Sequence, residues 1–442
     1  MSSPLERFRE LLRIPTISHA DESLVDWTRF EEFRSALERL YPETHRVLQR
    51  DLVGGHSLLY RWPGTSVGDP LVLMAHQDVV PVVESEWRHP PFGAEIDGEG
   101  ADAVLHARGA IDDKGAVVAI LEAVEQLVVG GFAPRHDVYL AFGHNEETAG
   151  GGARAIVDEL RARGIRPALV LDEGGAVVDG VIPGISVPTA MVGVAERGVL
   201  TLRLTAREAG GHASTPPRLP ATARLARAID RLQRHPFPTR LVPPVRAMLT
   251  TLAPYAPQPL RTVLRSLGVT GALVAAVFPR LGPEMNAIVR TTAVTTELSG
   301  AQGENVLATS ARASVNIRLL TGDTVEGATA RVRRIIADPL VEIDARHGSD
   351  PSPVSSWRGE PWRRIARAVS ATLGEDVVTT PYLQLGASDS RWFTPISRHV
   401  YRFAPFHLTA SERESLHSHD ERIRVDVWLR GIEFYRALVS AS

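Results

Sequence analysis

The 442-residue chain has no cysteine, so it can form neither a disulfide framework nor a thiolate metal site. Any transition metal must be held by imidazole and carboxylate, and fifteen histidines make that possible. Nor is there an excess of one charge: 49 Lys and Arg stand against 52 Asp and Glu, a formal charge of -3. That balance leaves no basic field to condense on nucleic acid or an anionic membrane, and neither is predicted as a partner. No apolar run reaches the roughly 18 to 20 residues of a membrane span. The longest, 117–129, is broken by Glu122 and Glu125. What remains is the composition of a globular chain, 44% hydrophobic and 23% charged, too long for one compact core and so predicted to form two domains.

Within residues 1–18, Ser3 reads as a cap, Pro4 as the first helical position, and Leu5, Phe8, Leu11 and Leu12 recur at helical spacing. This predicts a folded helix rather than a signal peptide, and a cytoplasmic protein. From 70 to 173, buried strand-length runs at 71–75, 138–142 and 168–171 alternate with amphipathic stretches at 116–129 and 153–160. Runs apolar on both faces predict a largely parallel sheet covered by helices, with ligands gathering at the carboxyl ends of its strands. After Gly193 the pattern changes, since 199–207 alternates Leu200, Leu202 and Leu204 with polar residues, as a strand with one wet face does. Helices are predicted at 221–232 and 324–336, strands at 287–298 and 306–320, and a helical insertion without clear period at 236–283. Helices at 361–373 and 425–439 return to the first style. The fold class is therefore α/β: a discontinuous domain, 1–194 and 350–442, with a mostly parallel central sheet flanked by helices, interrupted by a smaller α+β domain, 195–349.

Polar residues at the strand ends carry the chemistry. His76-Gln77-Asp78 follows the run 71–75, and the two-residue period throws both ionisable side chains to one side. Asp78 can then fix the tautomer of His76, as carboxylates do behind metal-bound imidazoles, although a capped loop would use the same residues. Asp112 and Asp113 precede the helix at 116–129, where the dipole favours negative charge; an N-cap explains one of them but not two. Glu146 and Glu147 end the run 138–142, and adjacent acids repel unless a cation is present, a solvated acidic turn being the alternative. Asp172-Glu173 ends the run 168–171 in the same manner. Three successive strands thus end in imidazole or carboxylate, and His417, in Leu416-His417-Ser418-His419-Asp420-Glu421, is available as a second imidazole. A thiolate-free cluster of this kind suits zinc, manganese or cobalt.

These motifs, with Trp87, Pro90-Pro91-Phe92 and Gly211-His212-Ala213-Ser214, resemble nearly end to end the co-catalytic zinc peptidases that include aminoacylases, carboxypeptidase S, acetylornithine deacetylase and succinyl-diaminopimelate desuccinylase. They look most like the carboxypeptidase S and N-acyl-amino-acid hydrolase branch. The resemblance implies a zinc-binding catalytic domain interrupted by a lid or dimerisation domain, with two Zn2+ per chain that Co2+ or Mn2+ can replace. It implies that Asp112 bridges the ions, that His76 and Asp172 complete one site, and that Glu147 and His417 complete the other. By the same resemblance Glu146 is the general base, Asp78 orients His76, and a strained peptide bond joins Asp112 to Asp113. His212 would reach the scissile carbonyl of a partner subunit in a homodimer, while Arg318, Asn305 and the loop Gly386-Ala387-Ser388 would hold the substrate.

The predicted function is hydrolysis of an amide bond next to a free α-carboxylate, in an N-acyl amino acid or a short peptide. The alternative is a non-catalytic metal- or ligand-binding protein that retains the fold. Glu146 discriminates between them, because a protein that only binds has no chemical need for a base beside a complete ligand set.

Overall fold

Runs that are apolar on both faces organise the larger sheet. In the computed structural model, which describes residues 2–301 and 303–441, the fully buried strands Val138–Gly143, Leu71–His76, Leu169–Asp172 and Val400–Arg402 lie side by side in parallel. Ser57–Trp62 and then Gln49–Val53 extend one flank antiparallel, and Thr189–Glu196 and Val378–Gln384 extend the other. The predicted α/β architecture with a mostly parallel centre is the observed one. Polar residues at the carboxyl ends of the parallel strands therefore open on one rim of the sheet.

Helix Lys114–Val129 is almost wholly buried beneath this sheet, held between helices Pro4–Leu12 and Val425–Ser440. Phe8 stacks on Trp428 with ring centroids 4.4 Å apart, and Trp428 Nε1 donates to the Gly115 carbonyl at 3.0 Å. The acids that interrupt the apolar run of this helix are both satisfied. Glu122 accepts two bonds from the Arg7 guanidinium, at 2.6 and 2.5 Å, and one from Tyr41 Oη at 2.9 Å. Glu125 accepts from the Thr44 amide and hydroxyl, each at 2.7 Å.

The smaller sheet is antiparallel, in the order Thr292–Ser299, Ser310–Leu319, Gly198–Arg207, Val341–Ser349. Its inward Leu200, Leu202 and Leu204 pack with Leu225 and Val332 of helices Ala221–Arg234 and Val325–Ile336 in a separate core. Two expectations need correction. Residues 287–289 are helical, because Pro283 opens the helix Pro283–Val289, whose Met285, Ile288 and Val289 bury at helical spacing; the strand starts at Thr292. The 306–320 segment divides into Val306–Leu307 and Ser310–Leu319.

The insertion is helical, and its Val245, Met248, Leu249 and Leu252 join the larger core, although it falls in the range predicted for the smaller domain. Met1 and Ser442, the outer limits predicted for the discontinuous domain, and Gln302 in the smaller one lie outside the described residues. Among the described residues no helix is long and apolar enough to cross a membrane.

Candidate metal centre

His76 is the last residue of its strand, and its Nδ1 bonds to the Asp78 carbonyl oxygen at 3.0 Å, with Asp78 Oδ1 at 3.4 Å. With that nitrogen donating, Nε2 presents its lone pair to Asp112 Oδ1, 2.9 Å away. Asp78 is fully buried and has a second task. It accepts the Ser18 hydroxyl at 2.7 Å and the amides of Glu146 and Glu147 at 3.2 Å each, so one residue sets the imidazole through its carbonyl and the acidic turn through its carboxylate. The Asp112-Asp113 peptide bond is cis. Asp112 Oδ2 lies 3.0 Å from His417 Nε2, and Glu147 Oε2 lies 2.9 Å from the same nitrogen. Two triads result, His76, Asp112 and Glu173, and Asp112, Glu147 and His417; within each the ligand-type atoms lie within 4.8 Å of one another, and Asp112 belongs to both.

In the first triad the structure places Glu173, where Asp172 was expected. Neighbouring side chains of an extended segment point to opposite sides, so only one of the two acids can face His76. Glu173 Oε1 lies 3.9 Å from His76 Nε2, whereas Asp172 turns away and accepts the Ser390 amide at 2.8 Å. Ser388 is buried too, giving its amide to Glu196 at 3.0 Å and sharing a hydroxyl contact with Ser390 at 2.7 Å, so its side chain braces the loop. Gly386 lines a cavity with Gly174, Tyr382 and Met248, and Ala387 joins it to Ser388.

His212 is exposed in the smaller domain, outside both triads, with Nδ1 2.8 Å from Ser214 Oγ. Asn305 lies beside it, its carbonyl accepting the Ala213 amide at 3.0 Å. Arg318 is half-buried, its Nε donating to Asn316 Oδ1 at 3.3 Å, and burial together with the nearby Arg391 lowers its pKa.

The site is short of positive charge. Burial, reinforced by Asp389, Asp112 and Glu147, raises the Glu146 pKa well above the carboxylate range, and burial with Asp112 and Asp113 does the same to Glu173. Hydrogen bonds to Asp112 and Glu147 push His417 up to about 10. Glu147 Oε1 is buried without a hydrogen-bond partner. A carboxylate-rich, thiolate-free cluster with an orphaned oxygen and oriented imidazoles fits a pair of divalent cations.

Sequence reasoning missed Glu421, which is fully buried and ties the whole loop 108–112. It accepts Arg108 Nη1 at 2.7 Å and the amides of Gly109, Ile111 and Asp112 at 3.0, 2.7 and 3.1 Å. An acid just before the short strand Arg422–Arg424 carries no signal of this; only its place in the His417 motif does. Asp389 is the second omission, a buried acid pushed up to about 8 by desolvation and by Asp172.

Residues 72–441 match the model of peptidase family M20/M25/M40. The chain belongs to this family. It is 34% identical over 443 residues to the N-fatty-acyl-amino acid synthase/hydrolase PM20D1 of Xenopus tropicalis, spanning 99% of this chain and 85% of that protein. Among solved structures it resembles an M20 family metallo-carboxypeptidase, Sso-CP2, from Sulfolobus solfataricus, with a TM-score of 0.73, 18% identity, and 100% and 99% of the two chains covered. It also resembles the YXEP protein of Bacillus subtilis, a dinuclear metal binding peptidase of the M20 family, with a TM-score of 0.62, 12% identity, and 99% and 97% covered. As a member of this family the chain is a metal-dependent peptidase or amidohydrolase.

Proposed function

We propose that the protein hydrolyses the amide bond beside a free α-carboxylate, in an N-acyl amino acid or a short peptide, with two zinc ions per chain. The observation that carries this reading is Asp112, which faces His76 with one oxygen and His417 with the other. His76, Asp112 and Glu173 would hold one cation, and Asp112, Glu147 and His417 the second. When bound, the pair supplies Lewis acidity, polarising the amide carbonyl and bringing a water's pKa toward neutrality.

Glu146 takes the proton of the attacking water and passes it to the leaving amine. Its turn is fixed by the Asp78 carboxylate through the amide bonds, so the base is aimed by the residue whose carbonyl also orients His76. Arg318 pairs with the free α-carboxylate, for which a guanidinium fork is suited. His212 donates to the developing oxyanion from a partner subunit.

The test is Glu146→Gln. Turnover on a panel of acyl amino acids and dipeptides should fall at least ~100-fold while zinc content and melting temperature stay at wild-type values. Unchanged turnover would remove Glu146 as the base, and an unchanged rate after chelation would remove the metal mechanism altogether. Arg318→Lys should weaken free acids far more than their amides; equal loss on both would exclude Arg318 as the carboxylate anchor.

A further inference from the structure

A second group of ligand-type residues lies away from the two triads. His89 comes from the loop after Trp87, Asp97 from the strand Glu95–Asp97, and His106 from its partner strand Val104–His106. In this antiparallel pair Glu95 stands opposite His106, and the two-residue period puts Asp97 on the same face. His89 lays its ring on that of His106, with centroids 4.1 Å apart and planes 24° from parallel, so both imidazoles present their edges to one place.

At that place Asp97 Oδ2 lies 3.2 Å from His89 Nε2 and 3.4 Å from His106 Nε2. His89 Nδ1 lies 2.9 Å from Glu95 Oε2, and a proton there is the only way to make that contact favourable with an ionised carboxylate. The neutral ring then has a lone pair on Nε2, aimed at an oxygen that also has only lone pairs. The contact is repulsive unless something positive sits between them. A divalent cation meets that need without charging either ring.

We propose that His89, Asp97 and His106 form a separate binding site for a zinc-class divalent cation. Three features of the geometry favour it. Ligand atoms around a tetrahedral ion with bonds of about 2.0 to 2.1 Å stand about 3.3 to 3.4 Å apart, close to the 3.2 and 3.4 Å that separate Asp97 Oδ2 from the two nitrogens. The Glu95–His89 contact reproduces the carboxylate that usually stands behind a metal-bound imidazole. Asp97 is exposed, so water can reach the remaining coordination positions. Of the neighbouring cations, Arg88 pairs with Asp420, while Arg422 donates to the Asp420 carbonyl at 3.0 Å and keeps its charge near His106, against which the site sets the carboxylates of Asp97 and Glu95. The site would clip the 84–93 loop onto the hairpin, and Arg422, beside His106 in the sheet, continues into the segment that carries Glu421.

This inference does not rest on the proposed hydrolysis. Equilibrium dialysis of the full chain against Zn2+, with bound metal counted per chain, tests it. The wild type should bind one equivalent more than His89→Gln or Asp97→Asn, however many the triads take, and Glu95→Gln should keep that equivalent with affinity weakened about 10- to 100-fold. Both substituted side chains lie at or near the surface, and melting curves verify the fold. Equal stoichiometry in wild type and both variants would overturn the site. Loss of every equivalent together would overturn it as well, by making these residues supports of the triads.

Discussion

One residue decides which acid faces the imidazole of His76. Asp172 and Glu173 are both carboxylates at the end of the same strand, and the sequence makes the pair visible without saying which side each takes. The amide of Ser390, more than 200 positions along the chain, claims Asp172. Glu173→Gln is therefore expected to lower zinc content and abolish turnover, while Asp172→Asn keeps its zinc and loses stability, by about 1 to 3 kcal/mol, because a buried acceptor is weakened. Metal analysis and urea melts of the two variants separate these outcomes, and the reverse pattern would restore Asp172 as the ligand. His144 shows a different limit of sequence reading. It reads as an ordinary loop histidine, yet it is buried, its Nδ1 is 2.7 Å from Ser57 Oγ, and desolvation pushes its pKa down to about 4. As pH falls below about 6.5 the unfolded chain takes up this proton while the folded chain refuses it until about 4, so stability is lost across that window. His144→Gln should flatten the acid limb by up to about 3 kcal/mol between pH 7 and 4, measured by urea melts at each pH. An unchanged slope would mean His144 stays accessible to protons.

At the scale of elements, the strand-end chemistry was legible because the buried runs are uninterrupted: 71–75, 138–142 and 168–171 have the length and composition of strands covered on both faces, which puts the residues just beyond each on the rim. The failures have equally specific causes. The helix Pro283–Val289 has two turns, too few for a period to show, and only Arg290 and Thr291 separate it from the next strand. The insertion hides its arrangement because its helices are short and Pro-interrupted, and one of them, Leu267–Val277, is apolar all round. Glu421 belongs to this scale, since it gathers one loop around one carboxylate. Removing half of a buried ion pair costs about 3 to 5 kcal/mol, and Glu421→Gln should lower the denaturation midpoint accordingly. Zinc affinity should fall about 10- to 100-fold as Asp112 loses its fixed backbone. A variant that loses stability but retains wild-type zinc affinity would show that the loop does not need this anchor to present Asp112.

For the whole molecule, the smaller sheet ends on Thr292–Ser299, an outer strand whose Val294 and Leu298 are 57% and 69% exposed. An exposed apolar edge is a place where a second copy can pair, which supports a homodimer in which His212 of one chain serves the centre of the other. Glu146→Gln chains re-paired with His212→Ala chains should regain roughly a quarter of wild-type activity, since half the dimers are mixed and each has one whole site. With exchange verified, no recovery would assign His212 to its own chain or to no catalytic role. The Glu421 clamp also has a bearing on biosynthesis. The carboxylate that holds the Asp112 amide is made 309 residues after it, and His417 is nearly as late. At about 5 to 20 residues per second, the ribosome spends roughly 15 to 60 s between them. Throughout that interval the nascent chain displays its acids without the imidazole and the anchor that accompany them in the folded centre, so the candidate metal centre is the part of the molecule assembled last.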